Sequence, residues 1–218
     1  MSRRIDTEVI RPGDTAVLTM ELQRGIVGTE SLVPQLGEQL RAGGGVDSVR
    51  RLLAAARSAE VAVVHATVAR RADGRRAASN APILERAEAM SDHLLTGSVS
   101  AQLLPELGPE HGDITVERLH GVTPFTGTEL DATLRGLGVR TIVLVGVSLN
   151  MGILGASMEA VGLGYRVVVP VDGVAGVPAD YAADVIRHSL RHLATLSTVD
   201  DIAAAWPVPT ERTEPAWT

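Results

Sequence analysis

The sequence has no cysteine among its 218 residues. Disulfides, thiolate metal sites and a cysteine nucleophile are therefore excluded for this chain. Aromatic residues make up only 2% of it, so no platform for stacking nucleic-acid bases is visible. Acidic residues outnumber basic ones by 26 to 20, and the resulting net charge of −6 also argues against a nucleic-acid partner.

Long apolar segments are missing as well. No run of about 18 uninterrupted apolar residues occurs, so neither a membrane-spanning helix nor a membrane partner is expected. The N-terminal stretch MSRRIDTEVIRPGD is charged and lacks the apolar segment of a secretory signal. These absences favour a cytoplasmic protein.

The chain does contain a regular alternation of strand-like and helix-like segments. Apolar runs without alternation predict buried strands, and apolar residues at helical spacing predict helices between them. The strands are predicted at 15–22, 61–68 and 113–119, the helices at 46–60 and 127–138, and a strand, a helix and a strand within 141–170. This alternation predicts an α/β fold, a parallel sheet between two helical layers in a doubly wound three-layer sandwich.

One domain is predicted, spanning residues 1–205. Residues 67–100 read as a long loop leading to a helix around 83–95. The last residues, 206–218 (WPVPTERTEPAWT), are rich in proline and cannot form regular structure. They are either a disordered tail or an arm that lies on a neighbouring subunit.

Several ionisable residues follow predicted strands. Glu21 closes the first strand, where a desolvated carboxylate at the edge of an apolar sheet is suited to proton transfer. The alternative is a solvated strand-end charge or a helix cap. His65 is more typical of a packed core histidine, whereas His120 precedes a glycine loop and is the better pocket candidate.

Two further groups of residues have a simple surface explanation. His188 and His192 are four residues apart on a helix, but no third metal ligand accompanies them, so a solvated helix face is favoured. A run of arginines is either solvated surface or a lid that pairs with a substrate carboxylate: Arg70, Arg71, Arg75 and Arg76.

The turn GVSLNMG at residues 146–152 joins a strand to a helix and exposes backbone N–H groups. Such a turn is suited to holding an anionic oxygen. Its glycines match neither the dinucleotide-binding nor the triphosphate-binding pattern. No cofactor and no metal ion are therefore expected.

At this point the sequence resembles the isochorismatase-like, or cysteine hydrolase, superfamily. The matching segments are AVLTMELQRGIV, VVHATVARR, HSLRHLATLSTVDDI and the stretch from TPFTGTELDATL to VPVDGVAG, in family order between residues of about 14 and 202. The resemblance implies a six-stranded parallel sheet of Rossmann-like type. It also implies a cis peptide bond at Val147–Ser148. A homodimer or higher homo-oligomer is implied too, with residues 151–164 and the tail as candidate contacts.

All three catalytic positions depart from the family pattern. Amidases of this family use an Asp, a Lys and a Cys, and the matching positions here are Glu21, Leu119 and Gly152. Without a thiolate at residue 152, covalent amide hydrolysis in the family manner is excluded. The metal-ligand pattern of nicotinamidases is absent too, since Val68 and Arg70 stand where an acid and a histidine are expected.

Glycine at the cysteine position also resembles true isochorismatases, which cleave a vinyl ether by proton transfer. The leading hypothesis is therefore a hydrolase without a cysteine, acting on a small, carboxylate-bearing molecule at a C–O or C–N bond. Glu21 would be the general acid/base, assisted by His120 or Arg118. The predicted substrate-binding and oxyanion residues are Val147, Ser148, Met151, Gly152, Phe125 and Leu119.

Two alternatives remain open. The first is a catalytically inactive protein that binds a small molecule or supports assembly on the same scaffold. A pocket filled by Leu119 would favour it, whereas an open pocket that contains Glu21 would favour an enzyme. The second alternative is an amidase with Ser148 or Thr123 as its nucleophile.

Overall fold

The strands of the computed structural model form one six-stranded sheet in which every pair is parallel. The structure describes residues 5–75, 80–89 and 92–206. The strands are β1 (Thr15–Met20), β2 (Ala62–Val68), β3 (Ile114–Arg118), β4 (Thr141–Gly146), β5 (Arg166–Pro170) and β6 (Thr195–Ser197). Their order is β3-β2-β1-β4-β5-β6, so the winding direction changes between β1 and β4. Ligands of such sheets bind beyond the carboxyl ends of the strands at this point.

Helices cover both faces of the sheet. The α-helices are α1 (Arg24–Val27), α2 (Pro34–Ala42), α3 (Gly45–Ser58), α4 (Pro82–Glu88), α5 (Leu130–Gly136), α6 (Leu154–Gly162), α7 (Ala179–His188) and α8 (Val199–Ala203). Short 3₁₀ turns occupy Thr7–Ile10, Pro12–Asp14, Pro105–Leu107, Val171–Gly173 and Leu190–His192. A π-helical turn, Leu149–Ile153, leads into α6.

The core has two halves, one on each face of the sheet. Residues Val17, Val143 and Val145 point to one face, where they meet helices α2, α3 and α8. Residues Leu18 and Leu144 point to the other face and meet α5, α6 and α7. Because both faces are covered, β1 and β4 are buried at every position, which explains why their sequences show no polar alternation.

The predicted α/β fold, the three-layer α/β/α sandwich and its six-stranded parallel sheet are confirmed. Segment 141–170 contains the predicted strand, helix and strand, with the π-helical turn inserted before α6. The helix predicted around 83–95 is wrong in extent, since α4 ends at Glu88 and Leu94 has a positive φ of 54°. Among the described residues, no helix combines the length and apolar character needed to cross a membrane.

Trp206 belongs to the core, although it begins the segment predicted as a tail. Its side chain is buried in the half of the core that contains α3, and its indole N–H donates to the Ile10 carbonyl at 2.7 Å. Residues 207–218 lie outside the described residues. The two interpretations of that segment therefore stay predictions.

Candidate active site

A cavity of about 240 Å³ lies beyond the carboxyl ends of β1, β3 and β4. Glu21 follows β1 directly, Arg118 is the last residue of β3, and Ser148 lies two residues after β4. All three line the cavity, together with Leu119, His120 and Gly152. The cavity is therefore open, and Leu119 forms part of its wall without filling it.

Glu21 has an unusual backbone conformation. Its φ of 54° lies in the left-handed region, which non-glycine residues rarely adopt. Its amide continues the ladder to β2 by donating to the Ala66 carbonyl at 2.9 Å. Leu94, another residue with positive φ, also lines the cavity. Such backbone outliers concentrate at functional sites, because the surrounding structure must hold them in place.

Arg118 supplies the positive charge that the sequence pattern lacks at position 119. Its Nη2 donates to Glu21 Oε1 in a buried ion pair, and its Nε donates to the Gly121 carbonyl at 3.3 Å. The side chain is 6% exposed. Arg118 thus turns inward and partners Glu21, one residue earlier in the chain than the lysine of the family pattern.

Nη1 of Arg118 is buried but has no hydrogen-bond partner within the part of the chain that the structure describes. A buried donor without an acceptor is costly, and nearly all such groups in proteins are paired. Nη1 itself has almost no accessible surface, so this donor does not open into the cavity that the residue lines.

His120 forms another part of the wall. Its ring lies against Gly127, where an added Cβ would come within 2.5 Å of the imidazole Cε1. Gly127 also has a φ of +75°, so both its conformation and its missing side chain fit this contact. Glu159 of α6 accepts a hydrogen bond from the Phe125 amide at 3.3 Å and another from the Thr126 hydroxyl. This anchors the loop that carries His120 to the sandwich.

The turn after β4 has the cis Val147–Ser148 peptide bond that the resemblance implies. The Val147 amide donates to the Met20 carbonyl at 3.0 Å, and the Met151 amide donates to the Ser148 carbonyl at 3.3 Å. These two amides have acceptors within the fold, and the expected role of the turn in holding a substrate oxygen stays a prediction. Ser148, Met151 and Gly152 do line the cavity.

Two of the predicted substrate-binding residues belong to the core. Phe125 is 6% exposed and packs with Tyr165, their ring centroids being 6.1 Å apart. Val147 is fully buried in the half of the core that contains α3. Neither is among the residues that line the cavity, and their predicted contact with substrate stays a prediction. Both are apolar residues beside the turn, and a residue pattern alone does not separate a core contact from a cavity contact.

Gly152 lies where the family pattern has its cysteine. A Cβ added there would be 3.0 Å from the Val147 carbonyl oxygen and 3.2 Å from the Met20 Cε. The Met20 side chain therefore occupies part of the space beside this position. Thr123 packs its methyl group toward Gly155, 2.6 Å from where a Cβ would stand. No hydrogen bond joins the side chains of Ser148 or Thr123 to a histidine or carboxylate among the described residues, so the interpretation of either as a nucleophile stays a prediction.

The structure adds two features that sequence reasoning missed. Gln23 ties the end of β2 to β1, accepting from the Val68 amide at 2.8 Å and donating to the Val68 and Ala101 carbonyls at 2.9 and 2.7 Å. The sequence feature that could have pointed to Gln23 is its position two residues after Glu21. Helix α4 contributes Ile83 and Leu84 to the cavity wall, whereas the sequence predicted a helix around 83–95 without assigning it to the site.

The arginine run divides between cavity and surface. Arg70 lines the cavity and donates to the Glu88 carbonyl at 3.1 Å. Arg71 pairs with Asp73 at 2.6 Å on the exposed side, and the Arg75 amide donates to the same carboxylate at 3.1 Å. Arg76 lies outside the described residues. Only Arg70 therefore reaches the site among the described arginines of this run.

His65 is buried within the sheet, away from the cavity lining. Its Nε2 donates to Asp113 Oδ2 at 3.2 Å, and its Nδ1 accepts from the Thr19 hydroxyl at 2.7 Å. Burial lowers the pKa of His65 more than the Asp113 contact raises it, so the ring stays neutral. This agrees with the interpretation of His65 as a packed histidine. His188 is 67% exposed, and no cluster of potential metal ligands occurs among the described residues.

Comparison with known proteins gives a family match over most of the chain. A family model described as Isochorismatase domain matches residues 15–201. Ureidoacrylate amidohydrolase RutB of Rhizobium rhizogenes (strain K84 / ATCC BAA-868) is 26% identical over 208 residues, covering 89% of this chain and 84% of that protein. The crystal structure of a cysteine hydrolase from Pseudomonas syringae pv. phaseolicola 1448A has a TM-score of 0.79 at 22% identity, covering 91% of this chain and 96% of that one.

A shorter match is more similar in sequence. The uncharacterized isochorismatase family protein YwoC of Bacillus subtilis (strain 168) is 41% identical over 75 residues. This match covers 34% of the chain and 39% of YwoC. The chain therefore spans well under two thirds of this relative.

Proposed function

The chain belongs to the isochorismatase family, and from that premise we propose that it hydrolyses a C–N or C–O bond of a small molecule without a cysteine nucleophile. The relatives named ureidoacrylate amidohydrolase support an amide-like bond as the target. The observation that carries the proposal is the buried Glu21–Arg118 ion pair at the wall of an open cavity.

Glu21 acts as the general base. Its ion pair with Arg118 fixes the position of the side chain at the cavity wall. The carboxylate takes a proton from a water molecule whose oxygen bonds to the substrate carbonyl carbon. When the tetrahedral intermediate collapses, the C–N or C–O bond breaks, and the leaving nitrogen or oxygen takes the proton back from Glu21. Proton transfer of this kind contributes about 10²- to 10⁴-fold to a rate.

Arg118 stabilises the negative charge that develops on the carbonyl oxygen. Its guanidinium is held by Glu21 and by the Gly121 carbonyl, so it needs little reorganisation during the reaction. Ser148 and Gly152 shape the wall beside it. His120 completes the wall on the side of the glycine loop.

The test compares Glu21→Gln with wild type on a panel of small amides, esters and one vinyl ether. Glu21→Gln should lower kcat by about 10²- to 10⁴-fold while the free energy of unfolding falls by at most about 1–2 kcal/mol. Glu60→Gln is a matched control, since Glu60 also has a positive φ (58°) and is exposed, following α3 before β2 begins. An undiminished rate in Glu21→Gln would overturn the mechanism.

The departures at Glu21, Leu119 and Gly152 favour a second candidate, an inactive small-molecule-binding protein on this scaffold. It predicts that wild type binds members of the panel and releases no product from any of them. If wild type turns over one compound and Glu21→Gln does not, the inactive binding protein is excluded.

A homo-oligomer and a cytoplasmic location stay predictions. Helix α6 exposes Met158 and Val161, at 54% and 42%, on the side away from the sheet, which supports contact between copies. Sedimentation equilibrium of wild type and Met158→Glu tests it. A larger mass for wild type than for the variant is expected, and monomers in both cases would contradict the prediction.

A further inference from the structure

A second cavity, of about 230 Å³, borders the turn that follows β4. Leu149 of this turn lines the second cavity, whereas Ser148, Met151 and Gly152 line the candidate active site. Among the described residues, none lines both cavities. The second cavity is therefore a separate space, and the proposed hydrolysis does not use it.

Most of the wall of the second cavity is apolar. Leu40 and Val171 contribute to it from α2 and from the turn after β5. Helix α7 contributes four small or aliphatic residues at helical spacing, namely Ala179, Ala182, Ala183 and Ile186. A cavity of about 150 Å³ is enough to hold benzene. The larger volume of about 230 Å³ therefore has room for a short hydrocarbon chain with a polar head.

Asp172 is the one charged residue in the described lining of this cavity. Its side chain is partly buried, and no ion pair joins it to an arginine or histidine among the described residues. Its Oδ1 accepts from the Val199 amide at 2.9 Å, and its Oδ2 is 3.5 Å from the Ser48 hydroxyl, which is a long contact. Each carboxylate oxygen can accept more than one hydrogen bond, so Asp172 can still accept from a ligand.

The backbone at the wall adds to this negative charge. Helix α2 ends here, since Gln39, Leu40 and Gly43 line the cavity, and the carboxyl end of a helix favours cations. Helix α7 begins at the same wall with the opposite partial charge. Its first turn, however, contains Asp180, whose carboxylate accepts from the Tyr181 amide at 2.8 Å. The charges at this cavity therefore favour a cation over an anion.

We propose that the second cavity binds a small aliphatic ammonium compound, whose cationic head pairs with Asp172 and whose hydrocarbon chain lies along the alanines of α7. One ammonium group neutralises the one carboxylate of the wall, and the apolar groove removes the chain from water. Because Asp172 is only partly buried, the ion pair keeps part of its hydration and does not bear the full cost of a buried pair. This site does not depend on the proposed hydrolysis.

NMR titration of the isotope-labelled wild-type chain with butylammonium, butanol and butyrate tests the proposal. The three compounds have similar chains, but their heads are positive, neutral and negative. Butylammonium should bind at least about tenfold more tightly than butanol, because hydrogen bonds to charged groups are the stronger ones. The amide signals of Leu149 and Ala183 should shift. Equally tight binding of butyrate, or shifts confined to residues of the candidate active site, would overturn the proposal.

Carboxylate variants locate the cationic head. Asp172→Asn keeps the shape and an acceptor for the Val199 amide but removes the charge, and should weaken butylammonium about tenfold while changing butanol little. Asp47→Asn makes the same change at a carboxylate that is 72% exposed and outside the lining, and should leave both affinities unchanged. Glu21→Gln, in the other cavity, should also leave them unchanged. If Asp172→Asn binds like wild type, or if Glu21→Gln loses binding, the cation pairs elsewhere and the proposal is wrong.

Alanine variants locate the hydrocarbon chain. Ala183 is exposed at the groove, so Ala183→Leu fills space there without crowding the core, and should weaken butylammonium and butanol alike by about tenfold. Ala54→Leu makes the same change at an exposed alanine of α3 outside the lining, and should leave both affinities unchanged. Thermal unfolding close to that of wild type shows that each variant keeps its fold. If Ala183→Leu binds butylammonium as tightly as Ala54→Leu does, the chain does not lie along α7 and the proposal is wrong.

Discussion

Strand β3 has a buried arginine–carboxylate pair at each end, and the two pairs differ in how completely they are satisfied. At its start, Asp113 accepts from Arg57 Nε at 3.2 Å and from Arg57 Nη2 at 2.6 Å, while Arg57 Nη1 lies 3.4 Å from Glu110. At its end, Arg118 reaches Glu21, but its Nη1 has no described partner.

The surroundings of the two ion pairs also differ in how fully their polar groups are used. Asp113 also accepts from His65 and from the Glu110 amide, at 3.2 and 2.9 Å, so its oxygens are fully used within the fold. The Glu21–Arg118 pair borders a cavity of about 240 Å³. Satisfied polar networks rigidify a core, whereas a pair at the wall of a cavity can also meet a ligand. We therefore expect the first pair to serve stability, and we propose that the second serves binding.

The largest effect on stability is expected at the satisfied pair. Asp113→Ala leaves Arg57 and His65 without their main acceptor inside the fold, so the free energy of unfolding should fall by about 3–5 kcal/mol. Urea unfolding followed by circular dichroism measures it. Asp184→Ala removes a carboxylate of α7 that is 56% exposed and pairs with Arg187 on the surface, so it should cost far less. Equal losses in the two variants would remove the distinction between a satisfied network and a surface pair.

A smaller loss of stability is expected at the unsatisfied pair. Arg118→Met leaves Glu21 without its partner, but the carboxylate borders an open cavity that water can enter. The free energy of unfolding should fall by about 1–2 kcal/mol, less than for a fully enclosed charge. Hydrolysis should nevertheless be lost, because the oxyanion donor is gone. A variant that loses as much stability as Asp113→Ala would show that both pairs serve the fold.

The sequence predicted the sheet well, since buried parallel strands have an unmistakable composition. TAVLTM of β1 and TIVLVG of β4 contain no charged residue, because helices cover both of their faces. Helix α4 was harder to predict. Its seven residues include no fully buried one, so the apolar stripe that marks longer helices is weak.

The site was predictable in its elements but not in its contacts. Glu21 was found because it follows a buried strand, and Gly152 because the turn pattern surrounds it. The inward turn of Arg118 could not be derived, since a shift of one residue at the end of a strand reverses the direction of a side chain. The separation of Phe125 from the cavity depends on packing with Tyr165, which lies in a distant part of the sequence, just before β5.

The satisfied pair should also make stability depend on pH. Burial keeps the folded-state pKa of His65 below its ordinary value of 6.5, despite the opposing contact with Asp113. Below pH 6.5 the unfolded chain therefore binds more protons at this residue than the folded chain does. The stabilising contribution is complete above pH 6.5 and is lost as the pH falls through the lower folded-state pKa.

Urea unfolding at a series of pH values measures this dependence. His65→Gln should flatten the slope of stability below pH 6.5, whereas His188→Gln, at a histidine that is 67% exposed, should leave it unchanged. Asp113 should make the free energy of unfolding depend on pH in a second, lower range. Burial tends to raise its pKa, but hydrogen bonds from Arg57, the Glu110 amide and His65 outweigh this and lower it, so its contribution disappears below pH 3.8. A slope that survives His65→Gln would place the titrating group elsewhere.

The smallest effect on stability is expected from Gly152→Cys, at the cavity. The added Cβ would stand 3.0 Å from the Val147 carbonyl oxygen and 3.2 Å from the Met20 Cε, and the flexible methionine can move by the few tenths of an ångström required. We expect a loss of at most about 1 kcal/mol. The wild-type chain has no cysteine, so the new thiol is the only group that a thiol reagent can label.

Thiol labelling of two cysteine variants compares the regions at the two ends of β3. Iodoacetamide should alkylate Gly152→Cys in the folded protein, because residue 152 lines the open cavity. Ala56→Cys places a thiol in the fully buried core beside Arg57, where labelling should require unfolding. If both thiols react at the same rate, the cavity gives small molecules no better access than the core does, and the assignment of the Glu21–Arg118 pair to ligand binding fails.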